Sequence, residues 1–163
     1  MSRLLKTLFA GLEYDGISIN TVNNWATELI SELEAPAIWL MDLLGCTSND
    51  CILNILRGKI KEIGPILDDE YAELCLGFTY LEFKKRNISL HKLESNILDI
   101  VDGSSVHGID PEKVYSVFKD NSMEVVIREI DLLLGSFSKK SIEYKEYTFS
   151  NISTIEEQEL LTE

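Results

Sequence analysis

The residues of this chain that could do chemistry are two histidines, three cysteines and 28 carboxylates. His91 falls in the first turn of a predicted helix, and His107 falls in a loop rich in Gly and Ser. An imidazole acts as a base or a metal ligand only beside a partner group, and the sequence marks no partner for either residue. We therefore predict surface or structural roles for both histidines.

The cysteines do not match the spacing of a metal site. Cys46 and Cys51 are five residues apart and Cys75 lies mid-helix, whereas structural zinc requires paired ligands two to four residues apart. Cys75 is predicted to be a small hydrophobe in the core, and Cys46 is interpreted as a core or neutral surface thiol rather than a reactive one. An odd number of cysteines at unpatterned spacings argues against a secreted disulfide framework and favours a reducing, cytoplasmic compartment.

The carboxylates also lack a catalytic pattern. Paired carboxylates hydrolyse glycosides, but acidic residues are so abundant here that no particular pair is marked. Asp68, Asp69 and Glu70, together with Glu73, could bind a divalent cation, yet the helix dipole already explains three acidic residues in a first turn. We therefore predict no catalytic residue, no metal site and no cofactor, and a chain that is not an enzyme.

The net charge of the chain is −13, from 28 acidic and 15 basic residues among 163. Excess charge of one sign repels itself and weakens the compact state. It therefore indicates a purpose beyond folding, which is solubility or the attraction of a positively charged partner. Direct binding of nucleic acid is disfavoured, because the basic clusters at 57–61 and 84–86 both fall in the last turns of predicted helices.

Helices are the elements that must position these residues, because apolar residues recur at three- and four-residue steps. We predict an all-α, single-domain bundle of stacked helical hairpins over residues 1–138. Its helices are predicted at about 2–14, 20–33, 35–44, 48–63, 68–86, 90–101, 111–120 and 123–134. No apolar run approaches the ~20 residues that a membrane span needs.

Local signals set the ends of several helices. The predicted N-caps are Asn20 or Thr21 for the second helix, Ser48 or Asn49 for the fourth and Ser89 for the sixth. Gly45 and Gly64 are predicted to end the third and fourth helices, and Gly135 the last. Gly77, in the middle of the fifth helix, would permit the close approach of a neighbour.

Residues 139–163 are predicted to form a C-terminal segment outside this helical domain. Residues 141–149 alternate loosely between apolar and polar types, which predicts an extended segment lying over the helices. Residues 154–163 contain four glutamates and no basic residue, which predicts a solvated, frayed tail.

Three stretches share packing motifs built from Trp, Gly and Leu. They read NWA at 24–26, APAIWLMDL at 35–43 and ELCLGFTYL at 73–81. Together they resemble a family of small helical bacterial proteins that is found among the immunity proteins of polymorphic-toxin and contact-dependent growth-inhibition systems. The resemblance covers about Leu8 to Phe118 and involves no catalytic motif.

The resemblance implies a cytoplasmic protein that binds a cognate toxin domain and blocks it without catalysis. Such toxins are often nucleases with basic surfaces, to which an acidic protein would be steered electrostatically. The alternative hypotheses are a helical adaptor or regulatory module that holds a protein or peptide and, ranked last, an enzyme of unrecognised type. We expect no direct nucleic-acid or membrane partner.

Acidic residues beside aromatics or near helix starts are the best candidates for the partner-binding surface, because interface hot spots need apolar anchors as well as charge. Three groups satisfy this condition: Glu13, Tyr14 and Asp15; Asp68, Asp69, Glu70 and Glu73; and Glu143, Tyr144, Glu146 and Tyr147. For each residue taken alone, a solvated surface position is the more common explanation.

Overall fold

The structure is a computed structural model that describes residues 2–64, 68–103, 106, 109–119, 121–150 and 155–162. Across these ranges the chain is helical, which confirms the predicted all-α class. The helices are α1 (Arg3–Glu13), α2 (Ile19–Glu32), α3 (Ile38–Leu44), α4 (Asn49–Ile63), α5 (Asp69–Lys84), α6 (Leu90–Gly103), α7 (Pro111–Lys119), α8 (Met123–Ser150) and α9 (Ile155–Leu161). Extended pairing in the described ranges is limited to one antiparallel bridge between Pro36 and Thr162.

Side-chain caps begin several helices where the sequence predicts them. The Ser48 and Ser89 hydroxyls each accept a hydrogen bond from the backbone N–H three residues later, both at 3.2 Å. Gly64 ends α4 with a φ of 123°, a conformation that favours glycine. The cap of α2 was predicted wrongly: it is Ser18, whose hydroxyl accepts from the N–H of Thr21 at 3.2 Å.

Helix α8 overturns the predicted structure of residues 123–150. The predicted end at Gly135 is wrong, because the helix continues through this glycine to Ser150. The predicted extended segment at 141–149 is wrong for the same reason. The division of the chain into a helical domain of 1–138 and a C-terminal segment of 139–163 stays a prediction.

The buried face of α8 explains why its second half was missed. Leu134, Ser138, Ser141 and Thr148 are all buried, and their spacing places them on one face of a helix. Three of these four residues carry hydroxyls, so the face does not show the apolar periodicity that predicts an amphipathic helix. The Ser138 and Ser141 hydroxyls donate to the carbonyls of Gly135, at 2.9 Å, and Leu74, at 3.2 Å, so burial leaves them paired.

The predicted frayed tail is also wrong for residues 155–162. Leu161 is buried at the end of α9. Its carbonyl accepts a hydrogen bond from the N–H of Ala37 at 2.8 Å, and the Leu160 carbonyl accepts one from the indole N–H of Trp39 at 2.8 Å. These bonds hold the stretch before α3 in extended pairing, so α3 begins at Ile38 and not directly after Pro36.

The described residues fall into two compact units. One contains residues 1–66 and 143–163, and the other contains residues 67–142. The core of the first unit includes Leu4, Leu8, Leu40, Leu43, Ile52 and Leu56; that of the second includes Leu74, Phe78, Leu93, Ile97, Ile130 and Leu134. Helix α8 contributes its N-terminal part to the second unit and its last two turns to the first.

Cys46 and Cys51 are joined by a disulfide, so the interpretation of Cys46 as a thiol is wrong, and the cysteines give no support to a reducing compartment. The short turn between α3 and α4 explains the pairing, because it places the two Cα atoms 5.5 Å apart, within the range that a disulfide spans. Cys75 carries a thiol that is buried on α5, as predicted. Among the described helices, none combines the length and the hydropathy that a membrane span requires.

Gly77 allows α5 and α8 to cross at close range, as the sequence predicts. A methyl group at this position would overlap the Ser141 hydroxyl and the backbone carbonyl of Phe137. The carbonyl belongs to a helix and cannot rotate away, unlike the end of a flexible side chain. Any side chain at position 77 must therefore push the two helices apart.

We predict that Gly77→Ala lowers the free energy of unfolding by about 1–3 kcal/mol, the usual cost of overpacking. The matched control is Gly135→Ala on α8, where an added methyl meets no atom within 4 Å. This control should raise stability by up to ~1 kcal/mol, because alanine favours a helix over glycine. Urea denaturation measures both, and equal effects of the two variants would contradict the close crossing.

Leu74 tests the core of the second unit. It is fully buried on α5, so Leu74→Ala should lower the free energy of unfolding by about 2–5 kcal/mol through lost burial and the cavity left behind. Leu132→Ala removes the same atoms from a side chain that is 76% exposed and should change stability by less than about 0.5 kcal/mol. Thermal or urea unfolding monitored by circular dichroism provides the comparison.

Candidate functional site

The first predicted group stays together where α1 ends. Glu13 and Asp15 are exposed and Tyr14 is half-buried. Asp15 has a φ of 58°, a left-handed conformation that aspartate tolerates better than most residues. The Asn49 amide lies 3.4 Å from an Asp15 carboxylate oxygen. Asp15 therefore also shapes the turn that follows α1.

The second predicted group forms the N-terminus of α5, and internal contacts engage it. The Asp68 carboxylate accepts a hydrogen bond from the N–H of Tyr71 at 2.9 Å and caps the helix. The Lys140 ammonium group lies 2.6 Å from the Glu73 carboxylate and 3.9 Å from that of Glu70. This lysine offsets part of the negative charge that a cationic partner would meet.

The third predicted group is divided between internal contacts and the surface. The Arg3 guanidinium lies over the rings of Tyr144 and Tyr147, 4.4 and 5.0 Å from their centroids. The Tyr147 hydroxyl donates to the Glu157 carboxylate at 3.1 Å. The two tyrosines therefore bind parts of their own unit, whereas Glu143 and Glu146 are exposed.

A cleft that the sequence did not predict joins acidic and aromatic residues in the first unit. It lies between α2 and the end of α8 and has a volume of about 220 Å³. We call it the α2–α8 cleft; its lining residues are Trp25, Glu28, Leu29, Glu32, Thr148, Phe149 and Ser150.

Two aromatic rings form the apolar wall of the cleft. Trp25 and Phe149 pack edge to face, with ring centroids 6.0 Å apart and planes at 87°. Such a pair contributes about 0.5–1.5 kcal/mol beyond the burial of its area. Trp25 is only 5% exposed, whereas Leu29 and Phe149 are half-buried. The wall is therefore anchored in the core and open at its rim.

Two glutamates supply the charge of the cleft. Glu28 and Glu32 are exposed and lie one helical turn apart on α2, which carries no lysine or arginine. In the part of the chain that the structure describes, neither carboxylate takes part in an ion pair. Lys145 on α8 donates instead to the carbonyl of Gly16 at 2.7 Å. Among the described residues, no basic side chain therefore offsets the negative charge of the rim.

The α2 side of this cleft could have been predicted from the sequence. Trp25, Glu28, Leu29 and Glu32 follow the three- and four-residue steps of one helix face. Glu28 and Glu32 were nevertheless not selected, because Trp25 was interpreted only as a packing residue. Phe149 could not be placed, since it was assigned to an extended segment.

A second concavity in the same unit is larger but less acidic. It has a volume of about 580 Å³ and lies between α3 and α4, with Ile38 and Asp42 on one side. On the other side the Lys59 ammonium pairs with the Glu62 carboxylate at 3.1 Å. Its opposite charges offset each other, so it offers weaker attraction to a cation than the α2–α8 cleft.

The titratable side chains of Tyr115 and His91 make contacts within the second unit. The Tyr115 hydroxyl donates to the Asp102 carboxylate at 3.0 Å and links α7 to α6. This hydrogen bond, with the negative charge of Asp102, raises the pKa of Tyr115 above its ordinary value of 10.0. His91 is exposed on α6, with its Nδ1 3.6 Å from the Glu94 carboxylate, as expected for a surface histidine. His107 lies outside the described residues.

Comparisons with known proteins returned no relative: no protein-family model, curated protein or solved structure matched the chain. Among the described residues, no group of three or more His, Cys, Asp or Glu side chains could hold a metal ion. The chemistry of the surfaces described above is therefore what bears on function.

Proposed function

We propose that this chain is an immunity protein that binds and neutralises a cognate nuclease-type toxin domain with a basic surface. It performs no catalysis of its own. The observation that carries the proposal is the α2–α8 cleft, which places two carboxylates that form no ion pair with any described residue beside an anchored aromatic wall. This combination of charge and apolar anchor is the kind of surface that interface hot spots use.

The net charge of the whole chain supports the same partner. A charge of −13 creates a negative potential over much of the surface. Such a potential steers a cationic protein into encounter and repels nucleic acid, so it raises the association rate and the specificity more than the affinity. The close-range contacts must then come from a site such as the cleft.

The mode of neutralisation follows from the chemistry of nucleases. A nuclease holds the phosphate backbone of its substrate with lysine and arginine side chains. Carboxylates of the immunity protein can pair with the same side chains, and the bound protein then excludes the substrate. Inhibition of this kind requires surface complementarity and no reactive group.

A helical adaptor is the second candidate function, and α3 favours it. Ile38, Met41 and Leu44 are large apolar side chains that are 43–56% exposed. Their three-residue spacing places Ile38 beside Met41, and Met41 beside Leu44, along the helix surface. An amphipathic partner helix that docked here would bind through apolar contact, and its affinity would depend little on salt.

Co-expression with the product of the adjacent gene tests the proposed function. We expect the two proteins to co-purify and the partner's nuclease activity to be lost in the complex. Because the encounter is electrostatic, the association rate should fall steeply as salt is raised. Full nuclease activity in the presence of excess purified chain would contradict the proposal, and binding that ignored salt would favour the adaptor.

Charge reversal locates the contact. We compare Glu28→Lys/Glu32→Lys with Glu143→Lys/Glu146→Lys and Asp69→Lys/Glu70→Lys, which change the net charge by equal amounts. The cleft pair should slow association at least about tenfold and speed dissociation, because only it removes close contacts. Stopped-flow kinetics measures both rates, after circular dichroism has shown that each variant is folded.

Equal effects of the three double variants would mean that net charge alone steers the partner and that the cleft makes no contact. A larger effect of the α5 or α8 pair would move the interface to the second or third predicted group.

A further inference from the structure

A recess in the surface of the second unit lies beside a strongly exposed leucine. The recess is between α7 and α8, and its lining residues are Lys113, Val117, Glu129, Leu132 and Leu133. Leu132 is 76% exposed, more than any other large apolar side chain that the structure describes. Val117 is buried and Leu133 is half-buried, so the recess has an apolar floor. We call these five residues the α7–α8 patch.

The recess has the size that one apolar side chain needs. Its volume is about 160 Å³, and an apolar cavity of about 150 Å³ holds a benzene molecule. A leucine side chain has fewer carbon atoms than benzene and therefore fits. On α8, Glu129, Leu132 and Leu133 follow the three- and four-residue steps of one helix face. Holes that receive a side chain from a facing helix are built from residues at these steps.

The rim of the recess carries two opposite charges that do not pair with each other. Lys113 on α7 is exposed and Glu129 on α8 is half-buried, and in the described part of the chain no ion pair joins them. The Glu129 carboxylate instead lies 3.4 Å from the guanidinium of Arg128, the residue before it. Each rim charge is therefore complementary to the other rim charge on an identical patch.

We infer that the α7–α8 patch binds a second copy of this chain across a two-fold axis. A two-fold interface brings the same patch of both subunits together, so the patch must be complementary to itself. Leu132 of each copy enters the recess of the other copy. Lys113 of each copy pairs with Glu129 of the other.

The presence of a projecting side chain and a recess on the same patch favours a second copy over a different protein. An apolar side chain from a different protein would fill the recess and leave Leu132 in water. A second copy fills the recess and removes Leu132 from water through one contact, made twice. The opposite charges of the rim match in the same arrangement.

The dimer should be weak, because the patch is small and the chain is anionic. A standard interface takes about 20–30 residues from each side, whereas five residues line this recess. Two copies that each carry a charge of −13 also repel each other at long range. We therefore expect a dissociation constant on the order of 0.1–1 mM when salt of about 0.3 M screens the repulsion.

The dimer does not depend on the proposed function. None of the residues of the α7–α8 patch lines the α2–α8 cleft, so a dimer carries two such clefts. Self-association therefore needs no toxin and can be measured on the chain alone.

Sedimentation velocity of the full chain, from about 10 μM to about 1 mM, tests the dimer. We expect the sedimentation coefficient to rise with concentration. The rise should be steeper in about 0.5 M salt than in about 0.05 M salt, because salt screens the repulsion between the copies and leaves the apolar contact intact. This salt dependence has the opposite sign to that expected for capture of a basic toxin.

Leu132→Ala should weaken dimerisation at least about tenfold, because each copy loses the side chain that the recess of the other buries. Met123→Ala is the matched control. Met123 is 63% exposed on the same helix but does not line the recess, so this variant should leave the dissociation constant unchanged. Circular dichroism should show both variants folded, since each loses a largely exposed side chain.

An exchange of the two rim charges tests whether the partner is an identical chain. Lys113→Glu and Glu129→Lys should each weaken the dimer about three- to tenfold, because each places like charges opposite one another. Lys113→Glu/Glu129→Lys should restore the affinity, since the charges are then opposite again in reversed order. Glu124→Lys, at an exposed position outside the recess, controls for net charge and should not weaken the dimer.

Three results would overturn the inference: a chain that stays monomeric at high concentration and high salt, a dimer that Leu132→Ala leaves intact, or a double charge variant no tighter than the single ones. A dimer formed by a chain that inhibits no nuclease would retain this interface and refute the proposed function. A nuclease inhibitor that never dimerises would retain the proposed function and refute this interface.

Discussion

The close crossing of α5 and α8 is the constraint on which the packing of the second unit depends. The crossing with α5 at Gly77 admits no side chain between the helices, and the Ser141 hydroxyl bonds the Leu74 carbonyl there. A helix has a fixed turn per residue, so this contact also places Leu134 and Ser138, seven and three residues earlier on the same face of α8, in the buried part of the second unit. Small hydroxyl residues make the close packing possible.

The acidity of the chain has two separate physical effects. At long range, the carboxylates act together as a negative potential, whatever their individual positions. At short range, their effect depends on what each one already touches. The Glu73 carboxylate forms an ion pair with Lys140, and the Asp68 carboxylate caps α5. Glu28 and Glu32 stand on a helix without basic residues, beside aromatic rings. A carboxylate that has no internal partner can pair with a cationic side chain without first losing another contact.

The third predicted group shows that neighbours in sequence can differ in what they contact. Tyr144 and Tyr147 were expected to anchor a partner, but their rings are held under the Arg3 guanidinium. In a helix, residues three and four apart share a face, and the two half-buried tyrosines contact Arg3 of their own unit. An aromatic beside an acid in sequence can therefore make internal contacts while the acid remains exposed.

The sequence by itself determined the helical class, most of the helix boundaries before α8 and the net charge, because these depend on local periodicity, capping residues and composition. The course of residues 141–150 and 155–162, the disulfide and the cleft were decided only by tertiary structure. Their determinants are contacts between residues far apart in the chain, such as the bond from the Trp39 indole to the Leu160 carbonyl and the packing of Trp25 on Phe149. A buried face made of hydroxyl residues gives no apolar period to read, and a site shared between two distant helices exists only once the chain has folded.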